Sequence, residues 1–476
     1  MSNQNLQSRF IDRLESRCLL STSSGNDSVI GRTNDALFYA SAENSAGVEP
    51  MFIRSNGSTG ILLKDINPGA ASSNPRFVAE VGDVLYFSAD DGTGPALWRT
   101  GGTIKTSKVA AVTANTSIPA ASIGNTLYFA GGSSNHAHAL WKTDGTPGNL
   151  IRLRDFSTDP QELAVFKTNV FFVATDDQSG SSLWRTDGTN VNIVGSGFPS
   201  GILAQPLAVT REHLFFRDYR PDHNKSHLWS LDANFGSSLM QTTDGPDTIR
   251  DLTERADNAY FICADSQKHR DVLFRSNGII GQVKRLYNFD DAGMILPRDA
   301  DDLARNSLYV QESNVSAKRT TLLFVHSPLG SEWLAQLTRP GPEEFAEVKQ
   351  TGSDLYFARI VSGGQQLWHS NGTREGTRMV KRFYNVPFLG AFTSFDTSVL
   401  FTTSDKQTTS VLWRTDRTTN ATEKVRGFAT GTAISLDDAR LLDTRIYFTV
   451  PGLAEDTRVW FSDGTRSGTG SPDALG

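Results

Sequence analysis

The 476-residue sequence predicts an all-β protein, a β-propeller of about ten four-stranded antiparallel repeats of about 45 residues each. Three observations predict it. One motif recurs along nearly the whole chain, the composition favours strands and tight turns, and the recurring strands carry apolar residues at adjacent positions. The motif is ALWKTDGT at residues 139–146, and near copies begin at Ser182 (SLWRTDGT), Gln366 (QLWHSNGT), Val411 (VLWRTDRT) and Arg458 (RVWFSDGT). Aligned on the tryptophan, the copies fall at Ile53, Trp98, Trp141, Trp184, Trp229, Phe274, Phe324, Trp368, Trp413 and Trp460. With 28 Phe, 10 Tyr, 8 Trp and 41 Gly and no long helical pattern, the chain is suited to strands and turns.

Each unit contains four strand signals. The first is a short apolar run closing in a turn pair, as in Val81-Gly82-Asp83, Ile123-Gly124-Asn125 and Gly352-Ser353-Asp354. The second is an apolar triplet: Leu85-Tyr86-Phe87, Leu127-Tyr128-Phe129, Val170-Phe171-Phe172, Leu214-Phe215-Phe216, Ala259-Tyr260-Phe261, Leu355-Tyr356-Phe357 or Ile446-Tyr447-Phe448. The third carries the Leu-Trp pair. The fourth follows the DGT, as at 61–66, 150–153 and 379–383. Neighbours in a strand point to opposite faces, so Leu97 and Trp98, or Leu85 and Tyr86, bury both faces of the sheet. Small sheets covered on both sides by their own copies are propeller blades. The segment Asn288–Leu296, read here as the join between units five and six, is no longer than Asn67–Pro75. One continuous ring of residues 28–476 is therefore expected, with two five-bladed rings as the alternative. Unit ten shows no clear fourth strand after Asp463-Gly464-Thr465, so Cys18–Ser21 or Ser28–Gly31 is expected to complete it. Residues 1–27 read as a polar leader lacking the apolar stretch of an ordinary secretory signal.

The motif admits two chemical readings. Asp144, Asp187, Asp232, Asp416 and Asp463 are oxygen donors of the kind that bind calcium. The same position is Asn56, Asn277, Asn371 or Gly101 elsewhere, which drops the charge and keeps tolerance of positive φ, and glycine follows at 57, 102, 145, 188, 278, 372 and 464. A turn explains that set, and no cofactor or metal ligand is assigned; calcium is the one metal alternative. The tryptophan, replaced by Ile53, Phe274 and Phe324, reads as core rather than as a sugar-stacking ring. The cation that often follows it (Arg54, Arg99, Lys142, Arg185, Arg275, Arg414) suits a cation–π contact or a strand-end ion pair.

These residues resemble the ELWxxDGT repeat family of large bacterial surface and secreted proteins, over about residues 28 to 469. The resemblance implies the repeat architecture and brings no catalytic residue. Leu14-Glu15-Ser16-Arg17-Cys18-Leu19-Leu20-Ser21 is similar to the LEPR-x-LL segment of exported planctomycete proteins, with Ser16 at the place of the proline. Together the two resemblances imply the cell envelope or the exterior.

Other chemistry is sparse. The charge of -6 and the lack of a basic stripe argue against nucleic acid, and no apolar run reaches the length of a membrane helix. Cys18 and Cys263 form no disulfide framework. His136 with His138, and His223 with His227, lack carboxylates at metal-ligand spacing and read as solvated loop residues. Asp90-Asp91, Asp176-Asp177, Asp290-Asp291, Asp299 and Asp301-Asp302 read as solvated loop acids. No catalytic residue is assigned. The expectation is a non-enzymatic module that binds an envelope protein or polysaccharide through its variable loops, Asp90–Pro95, Gly131–His138, Asp218–Ser226 and Ala264–Arg270. The alternative is a carbohydrate-active enzyme with carboxylates gathered at the ring axis.

Overall fold

The computed structural model describes residues 28–471 apart from 42–46, 56, 58, 102–104, 195–206, 246–247, 256, 266–269, 296–306, 315–318, 327–332, 337–343, 352–353, 396–397, 405–408, 417–420, 430–433, 435, 437–438 and 451–457. They contain ten antiparallel sheets, each of four strands consecutive in sequence and paired in that order. The third sheet has an added two-residue strand, Thr113–Ala114, beside Gly131 and Gly132. The second sheet shows the plan, with strands Arg76–Val81, Val84–Asp90, Pro95–Gly101 and Ser107–Ala110.

The motif sets the register. Phe87 lies opposite Trp98, Phe129 opposite Trp141, Phe172 opposite Trp184, Phe357 opposite Trp368, Phe401 opposite Trp413 and Phe448 opposite Trp460. The first sheet is slipped by two residues, pairing Leu37 with Ile53 and Tyr39 with Met51. A two-residue slip leaves every side chain on its original face, so this unit keeps its packing without the tryptophan. In six sheets the pairing of the third and fourth strands shifts between the Leu and the aromatic residue, as at Leu97/Trp98 and Leu140/Trp141. Such bulges raise the local twist, as expected for a blade.

The apolar triplets divide between two interfaces. Leu85, Phe87 and Trp98 pack on Phe38 and Phe52 of the first sheet, whereas Tyr86 and Leu97 face Leu127, Phe129 and Trp141 of the third. The outer members of each triplet face the preceding sheet and its middle residue the following one. The rule holds onward: Tyr128 and Leu140 meet the fourth sheet, Phe171 and Leu183 the fifth, Phe215 and Leu228 the sixth, Tyr260 and Leu273 the seventh. Tyr309 meets the eighth, Tyr356 and Leu367 the ninth, and Leu400 and Leu412 the tenth. At the seam Tyr447, Val459 and Phe461 of the tenth sheet pack on Leu37, Tyr39, Met51 and Ile53 of the first. Truncating one such buried aromatic to alanine costs about 3–5 kcal/mol. The continuous series of interfaces makes one ten-bladed propeller rather than two rings of five.

Two expectations are corrected. Asn288–Leu296 leads from the sixth sheet to the seventh, not from the fifth to the sixth. Unit ten has its own fourth strand, Thr469–Gly470, and Ser28–Arg32 pairs with Ala36–Ser41 inside the first sheet. Among the described residues no strand of one terminal sheet pairs with the other, and Cys18–Ser21 lies outside them. The seam is held by packing and by bridges that include Arg32 Nη1 to Leu441 O at 2.6 Å and Arg445 Nη1 to Gly57 O at 3.4 Å.

Candidate functional site

Strands that alternate in direction give a propeller two rims. One holds the hairpins between first and second strands together with the DGT turns. The other holds the hairpins between second and third strands and the links between sheets.

The turn rim is occupied by its own hydrogen bonds. Asp144 Oδ1 accepts Thr146 N at 2.8 Å, Asp187 Oδ1 accepts Thr189 N and Asn190 N at 2.7 Å each, and Asp463 Oδ1 accepts Thr465 N at 2.8 Å. Asn277 and Asn371 make the same bond to Ile279 N and Thr373 N. Asn replaces Asp here because one carbonyl oxygen suffices for this turn. The hydroxyl two residues before the glycine accepts the glycine N–H, as in Thr143 to Gly145 at 2.9 Å and Thr186 to Gly188 at 3.0 Å. These backbone donors hold Asp187 down at about 2 and lower Asp144 as well. The glycines have φ of 82° at Gly145, 89° at Gly188 and 79° at Gly464. A Cβ on Gly145 would lie 2.3 Å from the Tyr86 hydroxyl, and one on Gly188 2.5 Å from that of Tyr128. The middle tyrosine of one blade thus fills the space left by the glycine of the next.

The tryptophans are structural too. Trp98, Trp141 and Trp184 are buried and donate Nε1–H to the carbonyls of Ala89, Gly131 and Ala174 at 3.0–3.1 Å. Trp98, Trp184, Trp413 and Trp460 take their cation from the fourth strand of the preceding blade or the residues just after it, not from the residue that follows them in sequence, whereas Trp368 takes Arg359 from the second strand of its own sheet. Lys64 lies 5.0 Å from the Trp98 ring centroid, Arg154 4.4 Å from Trp184, Lys381 5.2 Å from Trp413 and Arg426 4.7 Å from Trp460. The signal was present in LLKDI, IRLRDF, MVKRF and KVRGF.

The opposite rim gathers what does not repeat. All four variable loops are hairpins between second and third strands and lie on this rim, although 266–269 fall outside the described residues. The carboxylates of Asp90, Asp91, Asp176 and Asp177, expected to be solvated, are engaged, whereas Asp290 is exposed. Asp90 Oδ1 accepts Gly92 N at 2.8 Å and Gly94 N at 3.0 Å, while Lys108 pairs with Asp91 at 2.7 Å. That lysine, with Thr93, holds Asp91 at about 2. Asp176 accepts Gln178 N and Ser179 N, and Asp177 accepts Ser157 Oγ at 2.6 Å. Asp291 O accepts Asp271 N, and Asp290 N donates to Glu312; Asp299, Asp301 and Asp302 lie outside the described residues. The histidines also gain carboxylates that their spacing did not reveal: His136 pairs with Asp155 at 3.1 Å, and His138 with Asp159 at 2.9 Å. His227 meets the fully buried Asp218 at 2.7 Å across a strand pair, while His223 at its hairpin tip is exposed. Among the described residues no three His, Cys, Asp or Glu side chains are placed to hold a metal ion.

The first strands of successive sheets lie against one another, which puts them on the inside of the ring. Glu162 and Asp251 occupy bulges there with φ of 55° and 54°, and both sense Arg217 of the intervening blade. Burial raises both carboxyls above their ordinary range, opposed by Arg217 at Glu162 and by Arg250 first at Asp251. Asp251 is tied to Ile295 N at 3.0 Å, and the Arg217 guanidinium donates to the Ile249 carbonyl. Tyr384 is the one aromatic among the strongly exposed large hydrophobic side chains of the described residues, and it lies on a fourth strand, at the outside.

No family model matches the sequence, and no curated protein matches it. Among solved structures the chain is similar to the tricorn protease (TM-score 0.36, 10% identity, 85% of this chain and 44% of that one). It is also similar to the β-propeller domain of the Trilobed protease from Pyrococcus furiosus (TM-score 0.33, 10% identity, 66% and 97%). A third likeness is to apo prolyl oligopeptidase B from Galerina marginata (TM-score 0.36, 9% identity, 71% and 53%). The shared feature is the propeller. The chain spans under half of the tricorn protease, and at these identities the likeness concerns the fold alone.

Proposed function

We propose that this chain is a non-enzymatic interaction module of the cell envelope or exterior, belonging with the ELWxxDGT repeat proteins, and that its variable rim binds an envelope protein or polysaccharide. One observation carries the reading. The repeated Asp, Gly, Trp and cationic residues are taken up in turns and blade contacts, so the chain's individuality is concentrated in hairpins on a single rim. Loops displayed on a rigid scaffold are where recognition concentrates. The hydrogen bonds inside Asp90–Pro95 and at Asp176 limit what these loops lose on binding. The axial carboxylates supply no comparable support for an enzyme, because Asp251 and Arg217 are committed to backbone groups.

The test is a screen of the purified protein against extracellular polysaccharides and envelope protein fractions from its host, with variants on each rim. Asp222→Ala with His223→Ala should weaken capture, whereas Ile280→Ser and Thr465→Ala on the turn rim should leave it unchanged. Turnover of a polysaccharide that Glu162→Gln abolishes would overturn the non-enzymatic reading. Recovery of the native protein only in cytosol would overturn the location.

A further inference from the structure

An open groove of about 620 Å³ lies at the outer edge of the ring, between the fourth strand of the ninth sheet and the DGT loop of the tenth, lined by Lys424, Val425, Arg426, Gly427 and Arg466. It is separate from the variable rim. We propose that this groove binds the carboxylate or sulfate groups of an acidic polysaccharide.

The argument begins with what the same positions hold elsewhere. In the third sheet the strand Leu150–Asp155 places Arg152 two residues before the stacking cation Arg154 and Asp155 just after it. Arg152 and Asp155 form an ion pair at 2.6 Å, so that blade neutralises its own cation. In the ninth sheet the stacking cation is Arg426, and Lys424 and Gly427 stand in those two places. The cation remains and the acid is gone. A Cβ on Gly427 would sit 3.5 Å from Lys424 Nζ, so the ammonium lies beside the bare glycine backbone, where the third sheet has a carboxylate.

Arg466 adds a second exposed cation from the neighbouring loop. Neither Lys424 nor Arg466 forms an ion pair among the described residues, whereas Lys108, Lys167 and Lys225 each do. Asp463, the nearest acid in the loop sequence, is turned onto Thr465 N and Oγ1. Glu423 is the strand neighbour of Lys424 and so points to the other side. Arg426 is already fixed, donating to Thr469 O at 2.9 Å and lying over Trp460, which presets the groove wall. In a chain of net charge -6, three cations without a lining acid make a local site for an anion. The only apolar lining side chain, Val425, is buried, so the groove lacks the exposed anchor that a peptide interface uses. Without a longer basic stripe it does not track a nucleic-acid backbone. A hydrated acidic sugar chain suits both features.

Calorimetry on the full chain at low ionic strength would use oligogalacturonate, a sulfated oligosaccharide, a neutral glucan of the same length, oligoglutamate and inorganic sulfate. Both acidic oligosaccharides should bind and the neutral glucan should not, and binding should weaken steeply in about 0.5 M salt. Gly427→Asp restores the missing acid at a position where a Cβ meets only the flexible end of Lys424 at ordinary contact distance and φ is not positive, and it should weaken binding about five-fold or more with an unchanged melting temperature. Lys424→Ala with Arg466→Ala should weaken it further. The proposal is overturned if neither acidic oligosaccharide binds, if the neutral glucan binds equally, if oligoglutamate or free sulfate binds as tightly as the polymers, or if the three substitutions leave affinity unchanged.

Discussion

The contact between a tyrosine and the glycine of the next blade is the repeat's most direct test. Gly188 combines a φ of 89° with a position where an added Cβ would lie 2.5 Å from the Tyr128 hydroxyl, the next atoms being Tyr128 Cζ at 3.6 Å and Lys142 Nζ at 3.7 Å. Gly82 has a φ of 59° and nothing within 4 Å, so it reports the backbone cost alone. Gly82→Ala should cost about 1–2 kcal/mol, the penalty of a left-handed non-glycine residue. Gly188→Ala carries that penalty plus about 1–3 kcal/mol for overpacking a wall that cannot retreat, because Tyr128 is itself buried against the next sheet. Removing the hydroxyl removes the closest atom. Gly188→Ala combined with Tyr128→Phe, measured against Tyr128→Phe alone, should therefore return to the cost of Gly82→Ala. Urea midpoints at constant m-value give all four numbers. Equal costs for the two glycine variants, or no recovery in the double variant, would refute the latch.

Three further outcomes are expected. Asp187→Asn should leave stability at pH 7 within about 0.5 kcal/mol, because Asn makes the same turn. Since the folded pKa of Asp187 is depressed to about 2, its contribution is present above the unfolded value and is lost as pH falls toward 2; the variant should flatten the urea midpoint profile below about pH 4. A fragment of residues 28–245 exposes the apolar faces otherwise covered by the sixth and tenth sheets, so circular dichroism should show no cooperative melt; a stable fragment would refute the single ring. Cys263 is buried with its thiol pushed up to about 12, so in a Cys18→Ser background a thiol reagent should react only as the protein unfolds, and prompt native labelling would contradict its placement.

Most of the architecture was legible because both faces of each sheet are covered by copies of the same unit. Adjacent apolar residues such as Leu85-Tyr86-Phe87 then have one explanation, and their division between two neighbours follows from strand alternation alone. The closure was misread because the fourth strand of unit ten, Thr469–Gly470, is two residues long and carries no apolar run. The partner of tryptophan was not legible for a different reason. Arg185, beside Trp184 in sequence, makes its cation–π contact with Phe235, whereas Arg154 reaches Trp184 from another blade, a relation that no spacing within one repeat displays. The pairs His136–Asp155 and His138–Asp159 were hidden because each joins the third strand to a carboxylate about twenty residues on, at the end of the blade's fourth strand or in the link after it.

Among the described residues the seam between the first and tenth sheets shares no strand, and this bears on how such a chain changes over generations. Where a ring is closed by a strand borrowed from the opposite end, losing or gaining a unit disrupts two sheets at once. Here each repeat of sequence is also one complete sheet, and its two faces are addressed to neighbours of the same design. Recombination at a repeat boundary therefore exchanges an intact part, and the seam has no privileged place among the junctions.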